Sequence, residues 1–137
     1  MKKLVAALII LLTVSSISFA GSKPNMREGL WEITSKTEMA GMPVEMLPVT
    51  FTQCLTEKDL VPQNSQPDQQ CKITDVKVNG NTVSWAIQCE TQGNEMKGAG
   101  KITYNGDSFE GTITISMPQA NVNMISHMSG RRIGDCK

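Results

Sequence analysis

Apolar and polar residues alternate along most of the chain after residue 20, and this period of two constrains the fold more than any other feature. Successive side chains of a β-strand point to opposite faces, so alternation is typical of strands with one buried face. No segment beyond residue 20 keeps apolar residues at helical spacing for three turns. The pattern therefore predicts a mainly β fold built from antiparallel strands.

The alternating segments are short and are separated by Gly, Asn and Pro, which are turn residues. We expect a single antiparallel meander of seven or eight strands, forming a curved sheet or a small barrel. An α+β fold with one helix after Cys54 is the alternative. The predicted elements are strands at about 29–39 and 49–55, hairpins at 71–89 and 96–117, a strand at about 121–128, and, after a turn at Ser129 and Gly130, a short strand ending at Cys136.

The pair Asn105-Gly106 predicts the turn of the second hairpin. Both central residues of a two-residue type I′ turn need positive φ, which Asn and Gly tolerate. This turn would place Ile102 opposite Phe109, so that apolar side chains meet on one face.

The first twenty residues are typical of a signal peptide. Two lysines precede an apolar run from Leu4 to Val14, which is too short to span a bilayer. Ser18 and Ala20 supply the small side chains that a signal peptidase reads, which predicts cleavage after Ala20. We expect a periplasmic or extracellular product with no stable membrane anchor, consisting of one β domain at 21–137; an uncleaved anchor is the alternative.

The charge balance argues against a nucleic-acid partner. The full chain has 13 basic and 13 acidic residues, and the leader takes away two lysines and no acid. Binding to phosphates usually needs a net basic surface, which this mildly acidic domain lacks.

Four cysteines lie beyond the leader, and an even number in an exported chain predicts two disulfides. Zinc sites usually take thiolates in close pairs, and no such pair occurs. A turn at Asn79 to Asn81 sets Cys71 opposite Cys89, which favours the pairs Cys71–Cys89 and Cys54–Cys136. The other two connectivities remain open.

Several short segments together resemble one bacterial export family, catalogued as domain of unknown function 3617. The resemblance spans nearly all of the chain after the leader and includes all four cysteines. It implies export and a compact cysteine-bearing domain, and it assigns no activity or site residue. The segments are GLWEIT at 29–34, QCLT at 53–56, GNTVSW at 80–85 continuing to Cys89, YNGDSFEGT at 104–112 and GRRIGDC at 130–136.

No catalytic or cofactor motif is visible in the sequence. His127, the only histidine, is out of phase with Met124 and Met128, which predicts an exposed strand residue. A general base also needs a nucleophile and an orienting partner, and neither can be named. We therefore predict no cofactor and no enzymatic activity.

Met39, Met42 and Met46 cluster in the segment MAGMPVEM between the first two strands. Unbranched methionines fill irregular space, so we expect this loop to close over one end of the core. Soft thioethers also suit Cu(I) or Ag(I), which makes these three residues the alternative metal site.

The leading functional hypothesis is an exported, non-catalytic binding or structural module of the cell envelope. Its partner would be a small apolar ligand or another envelope protein. The alternatives are metal binding by thioethers and an enzyme whose site is assembled from scattered residues.

Overall fold

Seven β-strands make up the regular structure of the computed structural model, which describes residues 23–63 and 70–137. The predicted leader and its cleavage site lie outside the described residues. Within those residues, no helix has the length and hydropathy needed to cross a membrane. The strands are β1 Gly29–Met39, β2 Val49–Leu55, β3 Gln70–Asn79, β4 Thr82–Thr91, β5 Asn94–Asn105, β6 Ser108–Met117 and β7 Val122–Gly134.

All seven strands pair antiparallel in one sheet, in the order β2-β1-β7-β6-β5-β4-β3. The meander from β3 to β7 is continued by β1, which pairs with β7 as in a barrel. The sheet curls into a half-barrel with a concave and a convex face, and β2 and β3 form its two edges. The predicted antiparallel meander and curved sheet are thus confirmed.

The described part of the connection that follows β2, residues 56–63, packs against the core on the concave face. Its residue Val61 is buried in the core, and the N–H of Gln63 donates to the side-chain oxygen of Gln53 at 2.8 Å. The Tyr104 hydroxyl donates to the Leu60 carbonyl at 2.6 Å, and burial raises the pKa of this hydroxyl.

Where the alternative α+β fold placed a helix after Cys54, the chain forms a tight turn. Thr56 and Asp59 each donate a backbone N–H to the other's carbonyl, and they form an isolated β-bridge. No helix follows Cys54 within the described residues, so the α+β alternative is wrong for this part of the chain.

The register of the second hairpin differs from the predicted one by two residues. Asn105 pairs with Ser108, and Ile102 faces Gly111 rather than Phe109. Only Gly106 takes a positive φ, because Asn105 stays within the strand. The N-terminal segment bonds to this turn, with the Gly106 N–H donating to the Asn25 carbonyl at 2.7 Å.

The predicted turn at Ser129 and Gly130 is also wrong, because β7 runs through both residues without a break. Gly130 lies opposite Phe109, and a Cβ at Gly130 would overlap the phenyl ring. The glycine therefore makes room for an aromatic side chain within a strand, as interior strand glycines often do.

Two disulfides tie the sheet together, as the cysteine count predicted. Cys54, near the end of β2, is joined to Cys136, which follows β7. Cys71 and Cys89 face each other on β3 and β4 and form the second disulfide. These are the favoured pairs, but the expected turn at Asn79 to Asn81 is wrong: Asn79 pairs with Thr82, and a bulge between Thr74 and Lys77 brings Cys71 opposite Cys89. Both bonds are consistent with an oxidising, exported environment.

Candidate functional site: an apolar cavity in the half-barrel

The two ends of the concave face differ in how they are filled. At the end that contains the β5–β6 turn, the rings of Trp31, Tyr104 and Phe109 contact one another with centroids 5.5 to 5.8 Å apart. Ile33 and Ile102 complete this packed end and are fully buried. At the opposite end, the rings of Phe51 and Trp85 form part of a wall around open space.

The open end encloses a cavity of about 510 Å³, to which all seven strands contribute side chains. This volume is within the range of small-molecule pockets, and its mainly apolar lining is also typical of them. The lining residues are Ser35, Thr37, Met46, Val49, Phe51, Pro62, Gln63, Cys71, Trp85, Ile87, Cys89, Met96, Ile113, Ile115, Met117, Met124, Ser126 and Met128.

Trp85 and Met128 lie at the boundary between the packed end and the cavity, belonging both to the buried core and to the cavity lining. Trp85 faces Gly100 across β4 and β5, and a Cβ at Gly100 would overlap the indole ring. Gly100 therefore leaves room for the indole of Trp85. The neighbouring glycines meet other atoms, since Gly98 lies against Ile87.

Sulfur-containing residues form the rim of the cavity. Met96 faces Cys89 on β4, and Cys89 in turn faces Cys71 on β3. Met117 and Met124 continue the rim on β6 and β7. Thioethers are flexible and polarizable, so such a rim adapts to ligands of different shape.

A cluster of three hydroxyl groups is the main polar feature of the wall. Ser35 and Ser126 share a hydrogen bond of 2.5 Å between their oxygens, and Thr37 donates to Ser126 at 3.2 Å. In the β1–β7 register these residues lie between the Met39–Met124 pair at the mouth and Ile33 in the core. We name Ser35, Thr37 and Ser126 the hydroxyl cluster; it lies deep in the cavity.

The cavity is electrically neutral as far as the structure describes it. Among residues 23–63 and 70–137, no Asp, Glu, Lys or Arg lines its wall. Charged side chains lie outside it, and Glu32 on the convex face binds Arg131 at 2.9 Å. A charged ligand group at the bottom of this cavity would lose its hydration without gaining an ionic partner, which is unfavourable.

The loop between β1 and β2 does not close the open end as expected. Its residues Met42 and Leu47 are 62% and 88% exposed. The Met46 N–H donates to the Thr37 carbonyl at 3.1 Å, and Glu45 bridges to the neighbouring part of β1, so the loop lies along the edge of that strand. The loop therefore presents apolar side chains beside the mouth of the cavity.

The three methionines of the alternative metal site do not come together on the cavity wall. Of Met39, Met42 and Met46, only Met46 lines the cavity, and Met39 is half-buried opposite Met124 on β7. In the described part of the chain, no group of three His, Cys, Asp or Glu side chains is arranged to hold a metal ion.

His127 lies on the convex face, on the other side of β7 from its neighbours Ser126 and Met128, which line the cavity. It is exposed, and its strand neighbours are Lys36 on β1 and Thr112 on β6. These residues line a shallow depression, and His127 has no hydrogen bond to an acid among the residues that the structure describes.

Sequence reasoning missed the methionines that line the cavity, because they come from different strands. Met96, Met117, Met124 and Met128 are far apart or interrupted by polar residues along the chain. The period-two pattern was a signal that could have found them, because each of these methionines falls on the inward-facing side of its strand. The hydroxyl cluster was invisible for a related reason: Ser35 and Ser126 are 91 residues apart.

Comparisons with known proteins identify the family. The family model described as "Protein of unknown function (DUF3617)" matches residues 26–136, which include every strand and all four cysteines. No curated protein and no solved structure gives a significant match. The chain therefore belongs to the DUF3617 family, as the resemblance indicated.

Proposed function

We propose that this protein is an exported, non-catalytic binding module that holds a small apolar ligand in the cavity of the half-barrel. The observation that carries the proposal is the contrast between the filled aromatic end and the open, neutral end of one concave face. A cavity with an apolar wall and a few grouped polar atoms is the usual form of a small-molecule site.

The exposed apolar residues at the mouth also support this function. Met42, Val44 and Leu47 lie next to Met46, which is part of the cavity wall. Large exposed apolar patches often mark binding surfaces. In this proposal they give an apolar ligand a path from its source into the cavity.

The test is titration with N-phenyl-1-naphthylamine, whose fluorescence rises in apolar surroundings. We expect saturable binding of one probe per protein, because the cavity holds a single small molecule. Ile115→Trp should abolish binding, since Ile115 points into the cavity and the indole would fill it. Ile125→Trp is the matched control, because Ile125 is exposed and does not line the cavity. Unchanged binding to the Ile115 variant would refute the proposal.

Export is the second part of the proposal, supported by the leader pattern and by the two disulfides. Protein recovered from the periplasmic fraction or the medium should begin at Gly21, as N-terminal sequencing would show. An intact Met1 in cells with a working export system would contradict cleavage after Ala20.

Thioether binding of Cu(I) or Ag(I) is the second candidate function. It is favoured by the five methionines that line one cavity: Met46, Met96, Met117, Met124 and Met128. Soft thioether ligands select Cu(I) over harder cations. In an anaerobic competition assay, this function predicts stoichiometric Cu(I) binding that disappears when Met96, Met117 and Met124 become Leu. Met42→Leu is the control, since Met42 does not line the cavity.

A further inference from the structure

The hydroxyl cluster indicates which class of apolar ligand the cavity takes. Its three members carry one proton each, and a hydroxyl group can donate only that one proton. Two hydrogen bonds join the cluster, and each uses one proton. One proton is therefore left over, whichever of Ser35 and Ser126 donates to the other.

The spare proton has no acceptor in the described protein. No further hydrogen bond from Ser35, Thr37 or Ser126 is found among residues 23–63 and 70–137. Ser126 is only 5% exposed, and the surrounding wall contains Ile113 and Met128. An unused donor in such apolar surroundings is costly, and a ligand oxygen placed there removes the cost.

The absence of charge on the described wall limits the nature of that oxygen. A carboxylate at the hydroxyl cluster would accept one hydrogen bond and lose most of its hydration, with no cation beside it. An ammonium group could not use the spare proton at all, because it has no acceptor. A neutral carbonyl or ester oxygen satisfies the donor without this loss.

We infer that the ligand is a neutral, lipid-like molecule with a carbonyl or ester acceptor, bound with that acceptor innermost against the hydroxyl cluster. This inference rests on the proposed function and adds the polarity and the orientation of the ligand. The acceptor lies between the aromatic core and the mouth, and the apolar remainder extends past Ile115 toward the methionine rim.

The test compares four molecules with one ten-carbon chain: methyl decanoate, decane, decanoate and decylammonium. Each is titrated against protein already loaded with N-phenyl-1-naphthylamine. Methyl decanoate should displace the probe at a concentration about three- to tenfold below that of decane, which is the effect of one added hydrogen bond. The two charged molecules should be at least about tenfold weaker than the ester, because of their desolvation.

Two variants separate the role of the spare proton from a general effect of polarity. Thr37→Val leaves two hydroxyls and one hydrogen bond, so one proton is still spare and the preference for the ester should persist. Replacing Ser35 by Ala, Thr37 by Val and Ser126 by Ala together should remove that preference. Ser129→Ala, on the exposed outer side of β7, should change nothing. Unchanged displacement by decane shows that the triple variant retains its cavity.

The outcomes distinguish this inference from the function on which it depends. Equal displacement by ester and decane, or an ester preference that survives the triple substitution, would overturn the inference alone. Failure of the parent protein to bind the probe or any of the four molecules would overturn the proposed function as well.

Discussion

The two ends of this half-barrel are built by the same strands yet are filled differently. At the packed end, Trp31, Tyr104 and Phe109 fill the concave face with rigid rings. At the open end, most inward positions carry Met, Ile, Ser, Thr or Cys, and a cavity of about 510 Å³ remains. The backbone curvature alone therefore does not decide whether space is filled. The decisive factor is the size of the inward side chains in successive rows.

The two disulfides follow the same division. Cys54–Cys136 lies at the packed end and ties β2 to the segment after β7, whereas Cys71–Cys89 forms part of the rim of the cavity. If the packed end holds the fold together, the first bond should matter more for stability.

The largest expected effect is loss of the Cys54–Cys136 bond. Replacing both cysteines by Ala should lower the free energy of unfolding by about 4.5 kcal/mol, because the bond closes a loop between residues 82 apart. The same change at Cys71 and Cys89 should cost about 3 kcal/mol, since those residues are only 18 apart. Urea denaturation measures both, and a larger loss at the rim would contradict this ranking.

Truncation of one side chain at each end is the next test. Phe109→Ala should lower the free energy of unfolding by about 3 to 4 kcal/mol, because it empties a fully buried site. Met124→Ala should cost less than about 2 kcal/mol, since this side chain is half-buried and already borders open space. Equal losses in urea denaturation would mean that the open end is packed like the core.

The contact between Trp85 and Gly100 supports the boundary between the two ends. Gly100→Val should destabilise the protein by about 1 to 3 kcal/mol, because the new side chain would overlap the indole ring. Gly134→Val is the control, since a Cβ at Gly134 meets no atom within 4 Å. If both variants have the parent's Tm, the close contact at Gly100 is not present.

The smallest effect concerns Tyr104 and pH. Burial raises the pKa of its hydroxyl above the ordinary value of 10.0, so the folded state holds the proton more tightly than the unfolded state does. The contribution of the protonated Tyr104 hydroxyl to the free energy of unfolding is complete below about pH 10 and is lost as the pH rises further. The parent should be more stable than Tyr104→Phe by about 1 kcal/mol at neutral pH, through the bond to Leu60. That advantage should shrink above pH 10 in urea titrations, and a constant difference would contradict it.

The fold was largely predictable, because alternation reports which face of each strand is buried. The register was less so. The pair Asn105-Gly106 indicated a type I′ turn, but hydrogen bonds from the N-terminal segment hold Gly106 in a different turn. Gly130 suggested a chain reversal, although its actual role is to accommodate Phe109. Both errors arise from contacts between residues distant in sequence, which local patterns do not contain.

The site was less predictable than the fold. A local cluster, Met39, Met42 and Met46, attracted attention because its members are close in sequence, and yet only Met46 lines the cavity. The other lining methionines become neighbours only after the strands pair. A cavity is the space left between inward side chains, so no single segment of the sequence encodes it.

The most direct test of the central claim uses the two tryptophans, one at each end of the division. Trp31 is fully buried in the packed end, and Trp85 lines the cavity. A brominated alkyl methyl ester quenches indole fluorescence on contact, so it reports which tryptophan the ligand approaches. In Trp31→Phe, where Trp85 is the remaining tryptophan, we predict strong and saturable quenching; in Trp85→Phe, we predict little. Equal quenching in the two variants, or quenching of Trp31 alone, would contradict a binding cavity at the open end.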